Sequence, residues 1–472
     1  MFFNLNIKNN MKNNYLTLVA VIFLGITLKA QWMELVTPTI SFEIKNNSFL
    51  DLEINLDGEP YLMYDAEVPS DNGKDSDWKI FVQKYDPANE TWSMVGDSYI
   101  NELNASDNHM AIDSDGNIYV AYLKLGVYSE GYWCTVNKFD GTDWVQIGDW
   151  EAGIVMSDVT MYCDNQDDVY VSYFDGTYSG PVVKRYLGTG NDWETLGDEP
   201  FLSTGQCLGP ELTTDNDGNV LVSFGDGGFG GLLLSVKKFN GTSWEYIGSP
   251  GFWDEPNYPT SIIVGEDDVV HTTTTDFWML TSTVLNYQNS SWNSQYIGND
   301  AGYMPFAKYH NDVYMGYGIS DNGFRPRVKK VDVSGNWTDI PDQPGEYFTM
   351  PHSSPTTYFD IEADNYGNLY LAMMKGDQWN SHLAVIKLDI TTGISEIQKE
   401  NSIIYPNPTN GIVNLTGNES LLGFKITDFT GKTVYSTENV PSQIDISYLK
   451  NGVYFVIITT SENTYIEKVI IR

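Results

Sequence analysis

Cysteine and arginine are scarce in this sequence, and acidic residues far outnumber basic ones. The three Cys allow at most one disulfide bond within the chain, so disulfides do not hold the fold together. Lys and Arg total 26 against 63 Asp and Glu, which gives a formal net charge of −37 at pH 7. Because such a surface repels phosphate backbones, we expect no nucleic acid partner. The disulfide state stays open for Cys134, Cys163 and Cys207.

Long apolar runs are also missing, apart from one near the N-terminus. Leu16–Leu28 is mostly apolar, follows Lys12 and precedes a small residue, Ala30. This order predicts a secretory signal peptide over residues 1–30, because the run is too short for a convincing membrane span. No other segment is apolar enough to cross a bilayer, so we expect no transmembrane segment in the mature protein.

Familiar catalytic motifs are absent as well. The five His are scattered along the chain without a metal-binding spacing. No nucleophile elbow, phosphate loop or dinucleotide fingerprint occurs in a strand–turn–helix context. We therefore predict no metal and no cofactor, and the catalytic residues of any enzyme activity stay unassigned.

What the sequence does contain is a repeat. Residues 109–123 read HMAIDSDGNIYVAYL and residues 136–149 read VNKFDGTDWVQIGD; similar segments recur at 211–224 and 236–249. Alternating apolar residues predict strands, and the DG and NG turns between them predict tight hairpins. Each unit therefore contains four strands, a to d, with a Trp at the start of strand d.

The spacing of the repeat gives the number of units. The Trp recurs six times at intervals of 45 to 52 residues, from Trp92 to Trp337, while the a–b turn recurs seven times. Trp32 begins WMELV, which is similar to WVQIG at Trp144, so it supplies the missing strand d. A period near 50 with four strands is typical of β-propellers, and the repeat resembles kelch-like propellers in architecture only. We predict an all-β fold with a seven-bladed propeller over residues 31–390, closed by its N-terminal strand.

The DxDGN segments allow two interpretations. Asp113, Asp115 and Asn117 are oxygen donors at a spacing of two, as in calcium loops, but the later bidentate Glu of such loops is absent. Asp, Gly and Asn are also the residues that a hairpin turn favours. We take these segments as turns.

The C-terminal region departs from the repeat. Residues 391–402 read as a linker, and residues 403–472 contain short alternating strands that predict a small β-sandwich. This stretch resembles the type A C-terminal sorting domain of the type IX secretion system of Bacteroidetes. The resemblance lies in a YPNP opening, a DFTGK turn, an LKNGVY segment and a basic C-terminus, and its sorting residues are Tyr405, Pro406, Asn407, Pro408, Gly431, Gly452, Tyr454, Lys468 and Arg472.

The resemblance implies a route and a partner. The protein would cross the inner membrane by its signal peptide and the outer membrane through the type IX machinery, which becomes its partner. It would then be secreted or held on the outer-membrane surface, and release and anchoring both stay open.

A ligand site is expected on the face of the propeller that carries the b–c and d–a loops, here called the long-loop face. Function favours irregular loops on a rigid scaffold, and Asp residues and aromatics recur in these loops. The binding residues that we predict are Asp175, Asp226, Asp276, Asp321, Asp377, Trp278, Trp379 and Arg325. Arg325 and Arg327 are neighbours in one loop, which argues against the arginine triad of a sialidase-like propeller.

Three functions remain open at this stage. We expect a binding or adhesion module for a carbohydrate or a surface protein, rather than an enzyme, because carboxylates beside aromatic rings suit sugar hydroxyls. The alternatives are a polysaccharide hydrolase or lyase that uses loop carboxylates, and a structural component of the envelope.

Overall fold

The structure is a computed structural model that describes most of residues 32–390 and 404–471. The undescribed positions inside these ranges are 39, 41–43, 45–48, 70–75, 126–130, 153–157, 176–179, 198–199, 203–206, 230, 254–256, 277–280, 300–302, 321–323, 347–358, 378–379, 406–408, 410, 416–420, 429–431, 438–439, 442, 451 and 461–463. The predicted signal peptide and linker lie outside the described residues. The chain divides into two compact units, residues 1–393 and 394–472.

Short antiparallel strands build the first unit. The first is β1 (Met33–Glu34), and the first blade follows as β2 (Leu50–Ile54), β3 (Pro60–Pro69), β4 (Ser76–Asp86) and β5 (Thr91–Met94). The second blade is β6 (Ala105–Ile112), β7 (Ile118–Leu125), β8 (Tyr132–Phe139) and β9 (Trp144–Ala152). The third is β10 (Thr160–Cys163), β11 (Val169–Asp175), β12 (Gly180–Tyr186) and β13 (Trp193–Thr195).

The later blades repeat the pattern. The fourth is β14 (Cys207–Thr214), β15 (Val220–Asp226), β16 (Leu233–Phe239) and β17 (Trp244–Tyr246). The fifth is β18 (Asn257–Val264), β19 (Val270–Asp276), β20 (Thr281–Gln288) and β21 (Ser291–Asn299). The sixth is β22 (Phe306–Tyr309), β23 (Asp312–Ser320), β24 (Phe324–Val331) and β25 (Trp337–Asp339). The last is β26 (Phe359–Ala363), β27 (Asn368–Asp377) and β28 (Asn380–Asp389), and 3₁₀ turns occupy Gly227–Phe229 and Pro344–Glu346.

The N-terminal strand completes the last blade. This sheet has the order β1-β28-β27-β26, with Met33 opposite Lys387. Trp32 is buried, and its Nε1 donates to the carbonyl of Asp342 in the sixth blade at 3.0 Å. The first strands of neighbouring blades contact one another in a closed circle, from β2 through β6, β10, β14, β18, β22 and β26 back to β2. The seven blades and their closure through Trp32 are thereby confirmed for the described residues.

The recurring Trp fastens each blade to the one before it. Its indole Nε1 donates to a backbone carbonyl of the preceding outer strand or, for Trp92, of the N-terminal segment: Trp92 to Val36 at 2.6 Å, Trp144 to Val95 at 3.1 Å, Trp193 to Ile147 at 2.8 Å, Trp244 to Leu196 at 3.1 Å and Trp292 to Ile247 at 3.1 Å. Trp337 differs, since its Nε1 donates to Oδ1 of Asn286 at 3.1 Å. Apolar clusters fill the space between blades; one joins Leu52 of β2 to Ala372 and Val385 of the last blade.

The acidic residues of the a–b turns accept hydrogen bonds from other residues of the same hairpins. Asp113 Oδ1 accepts from the backbone N–H of Asn117 at 2.8 Å, and its Oδ2 accepts from Asn117 Nδ2 at 2.7 Å and from the Tyr119 hydroxyl at 3.0 Å. Asp215 and Asn219 repeat the first of these bonds at 2.8 Å. The interpretation of these segments as hairpin turns is confirmed.

The second unit contains two small sheets. Its strands are β29 (Ile404–Tyr405), β30 (Ile412–Leu415), β31 (Leu421–Asp428), β32 (Thr433–Thr437), β33 (Gln443–Asp445), β34 (Gly452–Thr460) and β35 (Thr464–Ile471). They form sheets of order β29-β30-β33 and β32-β31-β34-β35. Val413 and Ile444 of the first sheet pack against Phe424 and Val456 of the second, so the unit is a small sandwich with one apolar core.

Several predicted sorting residues fall in these strands. Tyr405 lies in β29, Gly452 and Tyr454 in β34, and Lys468 in β35. The Tyr454 hydroxyl donates to the carbonyl of Lys450 at 2.9 Å. The remaining sorting residues lie outside the described part of the chain: Pro406, Asn407, Pro408, Gly431 and Arg472.

Candidate functional site: the central cavity

Three of the five carboxylates predicted to bind a ligand are buried at the ends of second strands. Asp226 is fully buried and accepts from the Gly228 N–H at 2.9 Å, the Ser235 hydroxyl at 3.1 Å and the Tyr246 hydroxyl at 2.9 Å. Asp175 is buried and accepts from the Tyr173 hydroxyl at 2.6 Å, and Asp276 is buried as well. These contacts favour a role in holding the blades together, and their role in ligand binding stays a prediction.

The other predicted residues are described only in part. Arg325 is half-buried in β24, and its Nη1 donates to the carbonyl of Gly345 at 3.4 Å. The backbone of Asp377 ends β27 opposite Asn380. Asp321, Trp278 and Trp379 lie outside the described residues.

A different set of polar residues meets at the centre of the ring. Six inner strands carry a polar residue four positions before the first residue of the a–b turn, and these residues form what we call the polar ring: Asp51, His109, Thr160, Glu211, Ser261 and Asp360. The six turns are equivalent because the first residue of each donates its N–H to the carbonyl four residues later. All but Ser261 and Thr160 are ionisable, and all six line a cavity of about 290 Å³.

Irregular backbone precedes the ring in three blades. The pairing of strands a and b shifts register between Ser106 and His109, between Leu208 and Glu211, and between Pro259 and Ser261. A β-bulge adds a residue and re-aims the side chain that follows, and bulges are frequent beside functional sites. The same irregularity therefore stands directly before His109, Glu211 and Ser261.

Two ring carboxylates bind the free edge of the next inner strand. Asp51 Oδ2 accepts from the Met110 N–H at 2.7 Å, and Asp360 Oδ2 accepts from the Leu52 N–H at 2.9 Å. Inner strands have an unpaired edge toward the channel, and an unsatisfied N–H there is costly. Asp51 and Asp360 thus link neighbouring blades, and Asp360 Oδ1 also accepts from the Ile361 N–H at 2.8 Å.

Carboxyl groups crowd together between the first and last blades. Glu53 and Glu362 follow Asp51 and Asp360 by two residues on the adjacent strands β2 and β26. Burial, together with repulsion from Glu362 and Asp51, raises the pKa of Glu53 well above its ordinary value. Burial and the neighbouring Asp51 raise the pKa of Glu362 to about 8, and the same two causes raise the pKa of Asp360. With a pKa of about 8, Glu362 is largely protonated at neutral pH and can donate a hydrogen bond.

Two further titratable groups, Glu211 and His109, line the same cavity. Burial raises the pKa of Glu211, although the Tyr303 hydroxyl donates to its Oε1 at 3.0 Å. Burial also lowers the pKa of His109, whose Nδ1 lies 4.0 Å from Asp51 Oδ2, so the imidazole is neutral at pH 7. At the same end, burial and repulsion from Asp158 raise the pKa of Asp107 to about 7. A carboxyl group with a raised pKa, that of Glu211, and the imidazole of His109 therefore line the same cavity.

One buried amide in the cavity wall has no partner. Asn108 is 2% exposed, and neither its Nδ2 nor its Oδ1 has a hydrogen-bond partner in the described part of the chain. Leaving a buried amide unpaired costs about 1–3 kcal/mol, so such a group calls for an explanation. Its position in the wall makes it available to a molecule in the cavity.

The sequence contained a signal for the polar ring that motif reasoning overlooked. When the repeats are aligned on their a–b turns, the position four residues earlier is polar in six blades. Within a single repeat, residues 51–53 (Asp, Leu, Glu) alternate between polar and apolar. That pattern is typical of any strand with one solvent-exposed face. His109 belongs to no metal-binding spacing in the sequence, and it lies in the wall of the cavity.

The fold and its C-terminal unit together define a class of protein, an exported β-propeller. Residues 403–472 match the family described as secretion system C-terminal sorting domain. That domain directs a protein through the type IX system to the cell surface or beyond it. No helix within the described ranges has the length and apolar character needed to cross a bilayer.

Several solved structures of low sequence identity are similar to most of this chain. A protein of unknown function from Dyadobacter fermentans is 11% identical, with 76% of this chain and 99% of that chain covered and a TM-score of 0.46. An ulvan lyase is 12% identical, with 75% and 94% covered and a TM-score of 0.48. The NanB sialidase from Streptococcus pneumoniae is 11% identical, with 79% and 72% covered and a TM-score of 0.41. No curated protein matches the chain.

Proposed function

We propose that this protein is an exported propeller that binds a carbohydrate in its central cavity, entered from the long-loop face. The observation that carries the proposal is the polar ring, in which one position of the repeat faces one cavity in six blades. Carboxyl groups in both protonation states, amides and hydroxyls are the partners that sugar hydroxyls use. The aromatic side chains of Tyr162, Tyr303 and Phe306 supply apolar wall.

The size and position of the cavity suit this proposal. Its 290 Å³ lies near the lower end of small-molecule sites, which span roughly 300–1,000 Å³. Phe49 and Tyr303 line it and lie just before their inner strands, on the side of the d–a loops. A terminal sugar of a chain would enter there, with the rest of the chain outside over the long loops.

Binding of the chain over residues 31–472 to a glycan array, followed by calorimetry, tests the proposal. We expect one glycan class to bind and the Glu211→Gln variant to bind it at least tenfold more weakly, because Glu211 and Tyr303 form one wall. Asp57→Asn, an exposed turn substitution in the first blade, is the control and should bind normally. Loss of binding in Asp175→Asn, with Glu211→Gln unaffected, would place the site at the blade ends instead. A pull-down that captures a surface protein, with no glycan bound, would also contradict the proposal.

A second candidate is a polysaccharide hydrolase or lyase, which the pair Glu211 and His109 favours. A carboxylic acid with a raised pKa and a neutral imidazole in one cavity are suited to give and accept a proton. Turnover in a polysaccharide panel, measured as new reducing ends or new unsaturated products, would support it. Glu211→Gln should then reduce turnover at least a hundredfold, and binding without turnover would leave the first proposal standing. A structural role in the envelope predicts neither binding nor turnover.

A further inference from the structure

We propose that the ligand of the central cavity is an amino sugar whose protonated amine lies among the carboxyl groups of β2 and β26. This inference rests on the proposed carbohydrate-binding function and adds the charge of the ligand to it. It separates an amino sugar from neutral sugars and from acidic polysaccharides.

Acidic side chains outnumber basic ones in the cavity wall. Among the described residues that line it, five carry carboxyl groups: Asp51, Glu53, Glu211, Asp360 and Glu362. Lys308 is the one Lys or Arg among these described residues, and its Nζ lies 3.3 Å from Glu266 Oε1. An anionic sugar would meet carboxylates without a free cation to balance it, whereas a cationic sugar is attracted. The chain's net charge of −37 favours the same approach.

The cluster of Asp51, Glu53, Asp360 and Glu362 is short of positive charge. Because the two strands are adjacent, the carboxyls repel one another, which together with burial raises the pKa of Glu53, Asp360 and Glu362 and favours their protonated forms. An ammonium group among them would replace the protons and turn repulsion into attraction. A metal ion fits less well, since no group of three or more His, Cys, Asp or Glu has metal-binding geometry in the described residues.

The unpaired amide of Asn108 is an independent observation that points to a ligand in this cavity. It is buried, lines the same cavity and has both polar atoms free. Carboxylates alone attract any cation, but an amide selects a ligand that also carries a hydroxyl or amine. An amino sugar carries both kinds of group, and a bare inorganic cation does not.

Calorimetry with matched oligosaccharides tests the charge of the ligand. Glucosamine oligomers and their N-acetylated counterparts of equal length would be titrated into the chain over residues 31–472 at pH 6. We expect the amine form to bind at least tenfold more tightly and to release protons, seen as a binding enthalpy that depends on the ionisation enthalpy of the buffer. Glu53→Gln should weaken the amine form at least fivefold and reduce proton release, while Asp57→Asn changes neither. The Asn108→Ala variant should weaken binding and leave proton release unchanged.

The outcomes separate this inference from the function on which it rests. Equal or tighter binding of the N-acetylated or of a neutral oligomer would overturn the inference and leave carbohydrate binding intact. Binding of the amine form without proton release would also overturn it, because the cluster would then not be the site. Absence of binding to any glycan would contradict both proposals. Circular dichroism of each variant ensures that a loss of binding is not a loss of fold.

Discussion

The carboxyl groups of this acidic chain have different ionisation properties according to what surrounds them. In the c–d turn of the second blade, backbone N–H groups of Asp143 and Thr142 donate to Asp140 and lower its pKa. Deep in the cavity, burial and neighbouring carboxyls raise the pKa of Glu53 and Glu362. The first kind of group prefers to be charged and the second to be neutral, so the two kinds respond to pH in opposite directions.

Replacing Glu362 with Gln should stabilise the protein at high pH. Its pKa rises from 4.5 to about 8 on folding, so the unfolded chain loses this proton first as pH increases. Stability contributed by the protonated form is complete below pH 4.5 and is lost as pH rises toward 8. Glu362→Gln removes that loss, and we expect a gain of about 1–3 kcal/mol at pH 8, with no difference at pH 4.

Urea unfolding at pH 4, 6 and 8 measures this effect. Glu151→Gln is the matched control, because Glu151 is an exposed residue of the second blade, and it should leave the pH dependence unchanged. A Glu362→Gln variant that parallels the natural protein at all three pH values would contradict the prediction.

At the scale of strands, contacts between blades explain the residues that recur. The carbonyls that accept from the next blade's Trp belong to Val95, Ile147, Leu196 and Ile247, and a Gly follows each of them. At Gly248 a Cβ atom would lie 2.7 Å from Nε1 of Trp292. The Gly therefore leaves room for an indole that comes from the neighbouring blade.

Substituting Gly248 with Ala should cost more than the same change at Gly241. Both glycines have positive φ, +78° and +90°, so both variants bear strain of roughly 1–2 kcal/mol. Only at Gly248 does the new methyl group also displace Trp292, whose indole bond to Ile247 is worth about 1 kcal/mol more. We expect the difference between the two variants to appear in denaturant unfolding, and equal losses would argue against the indole contact.

Particular residues show what the sequence revealed and what it could not. The repeat predicted the blades, the turns and the closing role of Trp32, because these depend on neighbours in the chain. The repeat could not reveal that the hydroxyls of Ser235 and Tyr246 donate hydrogen bonds to Asp226, because these residues lie on the next two strands of the blade. Nor could the repeat distinguish Asp51 and Glu53 from polar residues on an ordinary solvent-exposed strand face. Only the closed ring of blades makes that face the wall of a cavity.

At the scale of the whole molecule, the N-terminal segment closes the propeller between its sixth and first blades. Trp32 donates to Asp342 of the sixth blade, while the carbonyl of Val36 accepts from Trp92 of the first. Between them, β1 covers the outer edge of β28. An uncovered strand edge pairs readily with other chains, so closure bears on solubility as well as stability. The polar ring depends on the same closure, because β2 and β26 meet at this seam.

Removing the Trp32 side chain should open this seam. We expect Trp32→Ala to lose about 3–5 kcal/mol of stability, since the indole is buried and a cavity would replace it. Deleting residues 31–36 should also expose the edge of β28 and cause self-association, visible in sedimentation velocity. Met33→Ala is the control, because Met33 is 62% exposed in the same strand and should unfold like the natural protein. Unchanged thermal unfolding of Trp32→Ala would show that the ring is stable without its N-terminal closure, since the indole would then contribute nothing to the seam.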